Sequence, residues 1–384
     1  MRKTYKLREI AHPLSAITEP LGDQVWLLNL DQVEPHTGKL LGKSLVRRVD
    51  VGSSTHPFDA HSVLYSKLRP YLNKVYLPDE SGFCTSELVP LRPKPSLVTR
   101  EYLAYYLRSP SFLRWVSQQI DGAKMPRVSM KVFWDHEIQL PHPVEQERIT
   151  KVLDKASSLR HKRQESVCVA DEFLRARYLE LASAQRNRIA VERLLADVPN
   201  AARTGPFGSQ LLVSEFRDSG VPVLGIDNVV QNRFTWGARR FISEDKYREL
   251  ERYTVRPGDV MVTIMGTTGR VAIAPEDLPT CISTKHLCTL TLNRSLVLPE
   301  YLWACLRWDP EVKAQTQREA KGAIMEGWNM GIVKGLEIRK PPLHQQRRFA
   351  EQLSAMRRFQ SHAAHSLDRV QELSDSLAAK FFNQ

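Results

Sequence analysis

The chain has 384 residues, of which 42% are hydrophobic and 26% are charged. This composition is that of a globular protein with two or three cores, and it excludes a fibrous or intrinsically disordered protein. Lysine and arginine outnumber aspartate and glutamate by 55 to 43, and the net charge of +12 favours a polyanionic partner, nucleic acid first and acidic membrane second, over a generally basic protein with no such partner.

The N-terminal segment and the cysteines indicate a cytoplasmic protein. MRKTYKLREI is basic, but no apolar core of a signal peptide follows it. No run approaches the roughly 20 apolar residues that a bilayer-spanning helix needs. The cysteines are scattered without the spacing of a zinc site, so we expect reduced thiols and no bound metal. They are Cys84, Cys168, Cys281, Cys288 and Cys305.

Residues 1–143 have the pattern of a strand-rich domain. They carry the short apolar runs SVLYSKL, KVYL and ELVPL, which turn residues separate. Near the end of this segment, EYL…LR at 101–108 has the spacing of a helix. We therefore expect an α+β domain with a twisted, mostly antiparallel sheet.

The next segment, residues 144–186, is predicted to be one long helix. It follows the proline cluster PHP at 141–143, and it contains no glycine or proline from Val144 to Leu181. Apolar residues recur every three or four positions on either side of a polar break near Lys162–Glu165. At about 1.5 Å per residue, the stretch from Val144 to Leu181 alone would form a helix about 57 Å long, which suits a coiled coil.

The second half of the chain repeats this pattern. Residues 187–343 contain the apolar runs VPVLGI, DVMVTIM, RVAIA and HLCTLTL, and EYL…LR returns at 300–307. After PP at 341–342, residues 344–384 again have the helical spacing of three and four. Three pairs of segments show the repeat: 25–33 with 221–229, 100–108 with 299–307, and 137–149 with 337–349. The paired segments are offset by 196 to 200 positions, and 14 of their 31 residues are identical. A period of this length is too long for a solenoid unit, so each repeat is a domain with its connector.

The repeat predicts an α+β architecture of two tandem strand-rich domains, each followed by a long helix. The expected bounds are 1–143, 144–186, 187–343 and 344–384. Pairing the two helices as an antiparallel coiled coil would bury both apolar stripes. Two independent amphipathic helices on separate domains are the alternative.

The order of these parts is similar to that of the specificity subunit of a Type I restriction–modification system. A strand-rich domain leads to PxP or PP, then to a glutamine-rich helix start (EQERI, HQQRRF) and a long helix, all repeated once. Supporting segments are GPFGSQL at 205–211, GDVMVTIMGTTGRVAI at 258–273, GWNMGIVKGLEI at 327–338 and, more loosely, SVLYSKLRPYLNKVYL at 62–77 and GAKMPRVS at 122–129. The resemblance covers essentially the whole chain.

The resemblance implies that each strand-rich domain is a target-recognition domain that reads one half of an asymmetric, bipartite DNA sequence. The helices would set the spacing of the two domains and hold two methyltransferase subunits, and restriction subunits would join a larger complex. S-adenosylmethionine is then expected on the methyltransferase, and ATP and magnesium on the restriction subunit. No cofactor is expected on this chain.

Motifs of catalysis are missing from the sequence, so we expect the chain not to be an enzyme. GTTGR at 266–270 lacks the Lys-Ser/Thr pair of a phosphate-binding loop. The Asn/Asp-Pro-Pro-aromatic motif of an amino-methyltransferase does not occur, and Glu244-Asp245-Lys246 lacks the preceding Pro-Asp of a magnesium nuclease. The alternatives are a DNA-binding scaffold or adaptor without a methyltransferase partner, and another kind of phage-defence system that uses the same module. For RNA binding, the aromatic RRM motif is missing.

Basic side chains supply affinity for phosphates, and a few side chains read base edges. In the first domain the predicted DNA-binding residues are Lys39, Lys43, Arg47, Arg48, Lys67, Arg69, Tyr71, Lys124 and Arg127. In the second domain they are Ser209, Gln210, Arg233, Arg239, Arg240, Arg270, Lys285 and His286. The alternative for each is a solvated surface residue.

Each long helix also has a second face rich in arginine. For this face the resemblance implies docking of a methyltransferase subunit, and a solvated coiled-coil exterior is the alternative. The predicted partner-binding residues are Arg148, Arg160, Arg163, Arg347, Arg348, Arg357 and Arg358.

Overall fold

A computed structural model of the chain describes residues 2–14, 16–17, 22–122, 124–320 and 327–382. The chain divides into two compact units. Unit 1 comprises Met1–Gln164 and Ala364–Gln384, and unit 2 comprises Glu165–Ala363. Among the described ranges, none of the helices combines the length and the apolar character that crossing a bilayer requires.

Unit 1 is built on two four-stranded sheets. Its strands are β1 (Lys3–Lys6), β2 (Ala11–Pro13), β3 (Gln24–Leu28), β4 (Leu45–Arg47), β5 (His56–Phe58), β6 (Val63–Ser66), β7 (Val75–Tyr76), β8 (Gly82–Cys84), β9 (Leu88–Pro93), β10 (Ile120–Asp121), β11 (Arg127–Val128) and β12 (Glu137–Leu140). Its short helices are α1 (Leu7–Ile10), α2 (Arg100–Arg108), α3 (Pro110–Ser117) and α4 (Met130–Asp135), and the long helix α5 (Pro143–Ser183) begins here. The strand orders are β2-β9-β6-β7 and β4-β3-β8-β5. β3 and β8 run parallel, and the other described ladders of this unit are antiparallel.

Local signals explain where the helices of unit 1 begin. Thr99 Oγ1 accepts a hydrogen bond from Tyr102 N (3.3 Å) at the start of α2, and Ser109 Oγ accepts one from Phe112 N (3.3 Å) at the start of α3. These caps satisfy N–H groups that the first turn of a helix leaves without a partner. The helix predicted at 101–108 is confirmed, as are the strands predicted from SVLYSKL, KVYL and ELVPL.

Unit 2 repeats the arrangement of unit 1. Its strands are β13 (Arg188–Ala190), β14 (Ala202–Thr204), β15 (Val221–Leu224), β16 (Phe241–Ile242), β17 (Thr254–Val255), β18 (Val260–Thr263), β19 (Val271–Ile273), β20 (Cys281–Ser283), β21 (Leu287–Leu290) and β22 (Glu337–Arg339). Its helices are α6 (Glu244–Leu250), α7 (Pro299–Trp308), α8 (Pro310–Ala320) and α9 (Met330–Gly335), followed by the long helix α10 (Leu343–Phe382). The sheets have the orders β14-β21-β18-β19 and β16-β15-β20-β17, which match those of unit 1 strand for strand.

The same backbone hydrogen bonds recur at equivalent places in the two units. In unit 1 Lys67 N donates to Glu87 O (3.0 Å), and in unit 2 Ile264 N donates to His286 O (2.9 Å). β15 and β20 run parallel, as β3 and β8 do. The α+β class and the tandem repeat predicted from the sequence are therefore confirmed.

Both long helices follow their proline clusters closely. α5 begins at Pro143 and continues through the polar break at Lys162–Glu165, and α10 begins directly after Pro342. In unit 1, Leu153 of α5 and Phe382 of α10 belong to one buried cluster, which also contains side chains of α2. Also in unit 1, Arg160 Nη1 of α5 donates a hydrogen bond to Gln371 Oε1 of α10 (2.8 Å).

Unit 2 uses the remaining parts of the long helices in the same way. Leu174 and Tyr178 of α5 and Phe349 and Leu353 of α10 belong to its main buried cluster. Tyr178 is fully buried, and its hydroxyl donates to Asp309 Oδ2 (2.5 Å).

A buried glutamine joins each long helix to the domain before it. In unit 1, Gln146 Oε1 accepts from Thr99 N (2.9 Å), and Gln146 Nε2 donates to Leu97 O (2.7 Å). In unit 2, Gln346 Oε1 accepts from Leu298 N (2.9 Å), and its Nε2 donates to Leu296 O (3.3 Å). Both side chains are fully buried. The glutamine shared by EQERI and HQQRRF thus has a structural explanation.

The five cysteines are free thiols, as expected. Cys168 is exposed on α5, and the other four are buried. Burial raises the pKa of Cys84, Cys281, Cys288 and Cys305 to about 12. These four thiols therefore stay protonated and unreactive at neutral pH.

We expect unit 1 to lose stability as the pH falls from about 6.5 to about 4. His136 lies among aromatic rings, with its Nε2 2.7 Å from Tyr106 Oη, and burial lowers the pKa of His136 to about 4. In this pH window the unfolded chain binds a proton at this side chain and the folded chain does not. The free energy of unfolding should fall by about 2–3 kcal/mol, since the ring is partly exposed.

Urea unfolding of the chain at pH 7 and pH 4.5 measures this loss. The variant His136→Phe is the comparison, because it keeps an aromatic ring and cannot bind a proton. Its stability should depend less on pH than that of the unchanged chain. Equal pH dependence of the two proteins would show that His136 does not cause the loss.

Candidate nucleic-acid interface

The loops of unit 2 gather at one edge of its sheets, where β15, β18 and β20 end. Thr284 N donates to Leu224 O (2.8 Å), which ties the loop after β20 to the loop after β15. A side chain at Gly205 would come within 2.0 Å of Ser283 O, so glycine permits this close approach of the backbones. We call this the loop edge of unit 2. It consists of the segments 205–212, 225–240, 264–270 and 284–286.

Most of the cations predicted in the second domain meet at this loop edge. Arg233, Arg239, Arg270 and Lys285 are exposed, whereas Arg240 and His286 are partly buried. Burial lowers the pKa of His286, and the charges of Lys285 and Arg240 lower it further, so the imidazole is neutral at pH 7. Across the described ranges, Arg239, Arg270 and Lys285 form no ion pair with a carboxylate.

Asp227 orders the largest loop of this edge. Its carboxylate pairs with Arg240 and accepts a hydrogen bond from Ala238 N (2.7 Å). Asp227 was not among the predicted site residues. The repeat does contain a signal for it, because Asp227 stands in VPVLGIDNV (221–229) where Asp31 stands in VWLLNLDQV (25–33).

Ser209 and Gln210 lie on the same edge, in a 3₁₀ turn at Gly208–Gln210. Both side chains are exposed. The amide oxygen of Gln210 already accepts from Tyr253 Oη (2.8 Å) and from Phe207 N (3.2 Å). In the described part of the chain, no hydrogen bond occupies its amide nitrogen.

In unit 1, one group of predicted residues is brought together at the corresponding edge. Arg69 N donates to Pro126 O (2.7 Å), which holds the segment after β6 against the segment that contains Arg127. Arg127 is bound to Glu87 (2.7 Å), while Lys67 and Arg69 make no ion pair in the described part of unit 1. Tyr71 and Lys124 are exposed on neighbouring turns; Ala123 of the GAKMPRVS segment lies outside the described residues.

The other predicted residues of unit 1 lie on the connection from β3 to β4, on β4 itself and at the start of the 3₁₀ turn that follows it. Lys39 is exposed, and Lys43 pairs with Glu80 with its ammonium 5.0 Å from the Trp26 ring. Arg47 and Arg48 lie beside the start of β3, the end of the strand away from the loop edge, and Arg47 pairs with Asp50 (2.8 Å). These two arginines are therefore not brought together with Lys67 and Arg69.

The predicted partner-binding arginines do not all lie on an exposed face. Arg148, Arg163, Arg347, Arg348 and Arg358 are exposed on α5 and α10. Arg160 is partly buried and donates to Gln371 within unit 1. Arg357 is also partly buried, with its guanidinium 4.7 Å from the centroid of the Trp303 ring, and burial lowers its pKa.

The described residues offer no group of three or more His, Cys, Asp or Glu side chains that could hold a metal ion. The chemistry of the two loop edges is instead that of cations, amides and hydroxyls. Such groups bind phosphate oxygens and base edges.

The chain was compared with curated proteins. It is 26% identical over 125 residues to the "Type I restriction enzyme EcoDI specificity subunit" of Escherichia coli, which covers 33% of this chain and 28% of that protein. It is 21% identical over 292 residues to the "Type I restriction enzyme MjaVIII specificity subunit" of Methanocaldococcus jannaschii, which covers 72% of this chain and 68% of that protein. The chain thus spans between about a quarter and about two thirds of the length of these relatives.

Two solved structures have the same fold. The Type-I restriction–modification system S subunit of M. genitalium aligns with 100% of this chain and 96% of its own, with a TM-score of 0.58 and 12% identity. A chain from a study of complex assembly and conformational transition of the type I R-M system aligns with 99% of this chain and 97% of its own, with a TM-score of 0.57 and 16% identity. These likenesses support the two-domain architecture.

A family model, described as the Type I restriction modification DNA specificity domain, matches residues 52–167 and 192–371. These ranges cover most of the chain and fall once in each repeat. The match confirms the resemblance drawn from the sequence, and it does not favour an adaptor of another defence system. The chain belongs to the Type I restriction modification DNA specificity domain family.

Proposed function

We propose that this chain is the DNA-recognition subunit of a Type I restriction–modification complex and that each unit binds one half of a bipartite DNA target. The observation that carries the proposal is the repetition of one pair of four-stranded sheets, each with cations at the same edge. The side chains at the two edges differ, since Glu87 and Arg127 of unit 1 stand where unit 2 has His286 and Gly327. Two different readers make the target asymmetric.

Charge and exposure indicate which side chains of each edge bind phosphates and which bind bases. Exposed cations that pair with no carboxylate of the described segments, such as Arg239, Arg270 and Lys285, neutralise phosphates and supply affinity. The amide nitrogen of Gln210 can donate to an acceptor on a base edge, such as adenine N7, so Gln210 is suited to base edges.

We further propose that the long helices hold two methyltransferase subunits. Leu159 of α5 and Leu373 of α10 are exposed in unit 1, with exposed fractions of 45% and 54%. At an offset of 200 positions, Phe359 and Phe173 are exposed in unit 2, with fractions of 40% and 46%. Each unit thus exposes one equivalent apolar pair, and two equivalent surfaces fit two copies of one partner.

The helix contacts inside each unit support the antiparallel coiled coil. The last part of α10 packs beside the first part of α5 in unit 1, and the first part of α10 packs beside the last part of α5 in unit 2. This order of contacts is the one that antiparallel helices make. A helical connector would fix the spacing between the two half-targets.

We expect the double variant Phe173→Asp with Phe359→Asp to lose one methyltransferase subunit. Burying a carboxylate in place of an exposed aromatic anchor should weaken docking at unit 2 by roughly 30-fold or more. Native mass measurement of the co-expressed complex should give two methyltransferase subunits for the unchanged chain and one for the variant. Val198→Asp, at an exposed apolar residue outside the helices, should leave both subunits bound. A variant that keeps two subunits contradicts this docking surface.

The catalytic groups are proposed to lie on other subunits. S-adenosylmethionine would bind the methyltransferase, and ATP and magnesium the restriction subunit where one is present. The chain itself would be non-catalytic and would work in the cytoplasm, where its DNA target is.

Genome-wide methylation mapping of cells with and without the gene tests the proposed function. Loss of one asymmetric motif, with two short specified halves and a fixed unspecified spacer, is the expected result. Substitutions confined to the loop edge of unit 2 should then change one half only. An unchanged methylation pattern contradicts the proposal.

A further inference from the structure

Trp236 stands out at the loop edge of unit 2 because its side chain is 58% exposed. No other tryptophan in the described part of the chain is exposed to this extent. Its ring meets Phe234 edge to face, with centroids 5.1 Å apart, and Phe234 packs against the buried cluster that contains Leu224. One part of the indole therefore contacts Phe234, and the rest is exposed to solvent. An exposed indole is a large apolar surface available for a contact.

The loop that carries Trp236 is held in one conformation. Ala238 N donates to Asp227 Oδ2 (2.7 Å), and the same carboxylate pairs with Arg240. A side chain at Gly237 would come within 1.9 Å of Asp227 Oδ2, so the loop folds tightly around this carboxylate. The indole is presented on a preorganised loop, next to Arg239, which forms no ion pair within the described ranges. Preorganisation reduces the entropy lost on binding.

The fold itself does not need an aromatic side chain at this position. The loop after β15 begins with Gly225 N donating to Asn228 Oδ1 (2.8 Å), as the loop after β3 begins with Asn29 N donating to Gln32 Oε1 (2.9 Å).

The connection from β3 to β4 in unit 1, residues 29–44, contains no phenylalanine, tyrosine or tryptophan. The corresponding connection of unit 2 lies between β15 and β16 and contains both Phe234 and Trp236. Because unit 1 closes this connection without an aromatic side chain, the exposed indole of Trp236 is available for a contact rather than required for folding.

We propose that Trp236 is a specificity-determining residue whose indole makes an apolar contact with a base in the half-target bound by unit 2. This inference rests on the proposed function. Arg239 would bring the loop against the phosphates, and the indole would then reach the apolar surfaces of the bases. In duplex DNA these are the thymine methyl group in the major groove and the face of a base at an opened step.

Binding of the complete complex to its mapped target tests this role. The chain with its methyltransferase subunits would be titrated against the target duplex and against an unrelated duplex, as the unchanged protein and as Trp236→Ala, Trp236→Phe and Val198→Ala. Trp236→Ala should bind the target roughly 10-fold more weakly or worse, with little change on the unrelated duplex. Trp236→Phe should recover most of the loss, and Val198→Ala should bind as the unchanged protein does.

Two modified duplexes distinguish the two apolar surfaces. Replacing each thymine of the half-target by uracil should weaken the unchanged protein but not Trp236→Ala if the indole contacts a methyl group. A 2-aminopurine at the contacted step should brighten with the unchanged protein alone if the indole contacts an opened base.

Three results would overturn the inference. The first is that Trp236→Ala binds the target as tightly as the unchanged protein, and the second is that its affinity falls by the same factor for the target and for the unrelated duplex. The third is that neither the uracil duplex nor the 2-aminopurine duplex distinguishes the unchanged protein from Trp236→Ala. If the proposed function itself were wrong, the result would differ: the unchanged complex would bind the target and the unrelated duplex with equal affinity.

Discussion

Removing the buried carboxylate of Asp259 by Asp259→Ala is expected to destabilise unit 2 by about 3–5 kcal/mol. Arg203 and Asp259 form an ion pair in which the side chains are only 4% and 1% exposed. Arg203 also donates to Thr254 O (2.7 Å), and Thr291 Oγ1 donates to Asp259 Oδ1 (2.6 Å). Without the carboxylate, a guanidinium would remain buried with its charge uncompensated.

Urea unfolding of the full chain measures this effect against a matched control. Asp245 pairs with Arg248 in the same unit, but the two side chains are 88% and 77% exposed. Asp245→Ala should therefore change the free energy of unfolding by less than about 1 kcal/mol. Equal losses in the two variants would show that burial does not determine the strength of the Arg203–Asp259 pair.

Replacing three loop-edge cations of unit 2 by alanine should weaken DNA binding by roughly 1,000-fold at 0.05 M salt. Arg239, Arg270 and Lys285 are exposed and without ion-pair partners in the described structure, so each is free to displace a counterion from a phosphate. The slope of log affinity against log salt should fall by about 0.9 for each lost contact. Fluorescence anisotropy titrations across a series of salt concentrations measure both quantities.

The control for this triple variant removes the same charge elsewhere in unit 2. The control residues are Arg186, Arg193 and Lys313, which are exposed. Arg186 and Arg193 flank β13, which pairs with β22, and Lys313 N donates to the main chain of Asp309, the partner of Tyr178 on α5. Their replacement by alanine lowers the net charge equally and should change the salt slope little. If both triple variants lose the same affinity, general charge rather than the loop edge governs binding.

The secondary structure was predictable because its signals are local. Short apolar runs bounded by turn residues marked strands such as β6 and β18, and spacings of three and four marked α5 and α10. The order of strands in each sheet was not predictable, since it depends on pairings such as β3 with β8, which are distant in sequence. The internal repeat indicated only that the two units would share one strand order.

The candidate site was predictable in composition and less so in arrangement. Arginine and lysine in loops suggested DNA contacts, but the sequence does not show that Arg47 lies at the far end of β3 or that Arg127 is bound to Glu87. It likewise does not show that Arg357 packs over Trp303. Each placement results from tertiary contacts that no local pattern encodes.

The buried glutamines have a consequence for how such chains diversify. Gln146 contacts the domain before it through Thr99 N and Leu97 O, and Gln346 uses Leu298 N and Leu296 O. All four groups belong to the main chain, which every amino-acid sequence provides. The hydrogen bonds of each joint therefore require a backbone shape rather than particular side chains. Recombination between genes could insert a domain of different sequence before either helix and keep these hydrogen bonds, provided that the new domain also presents apolar side chains to the buried face of the helix.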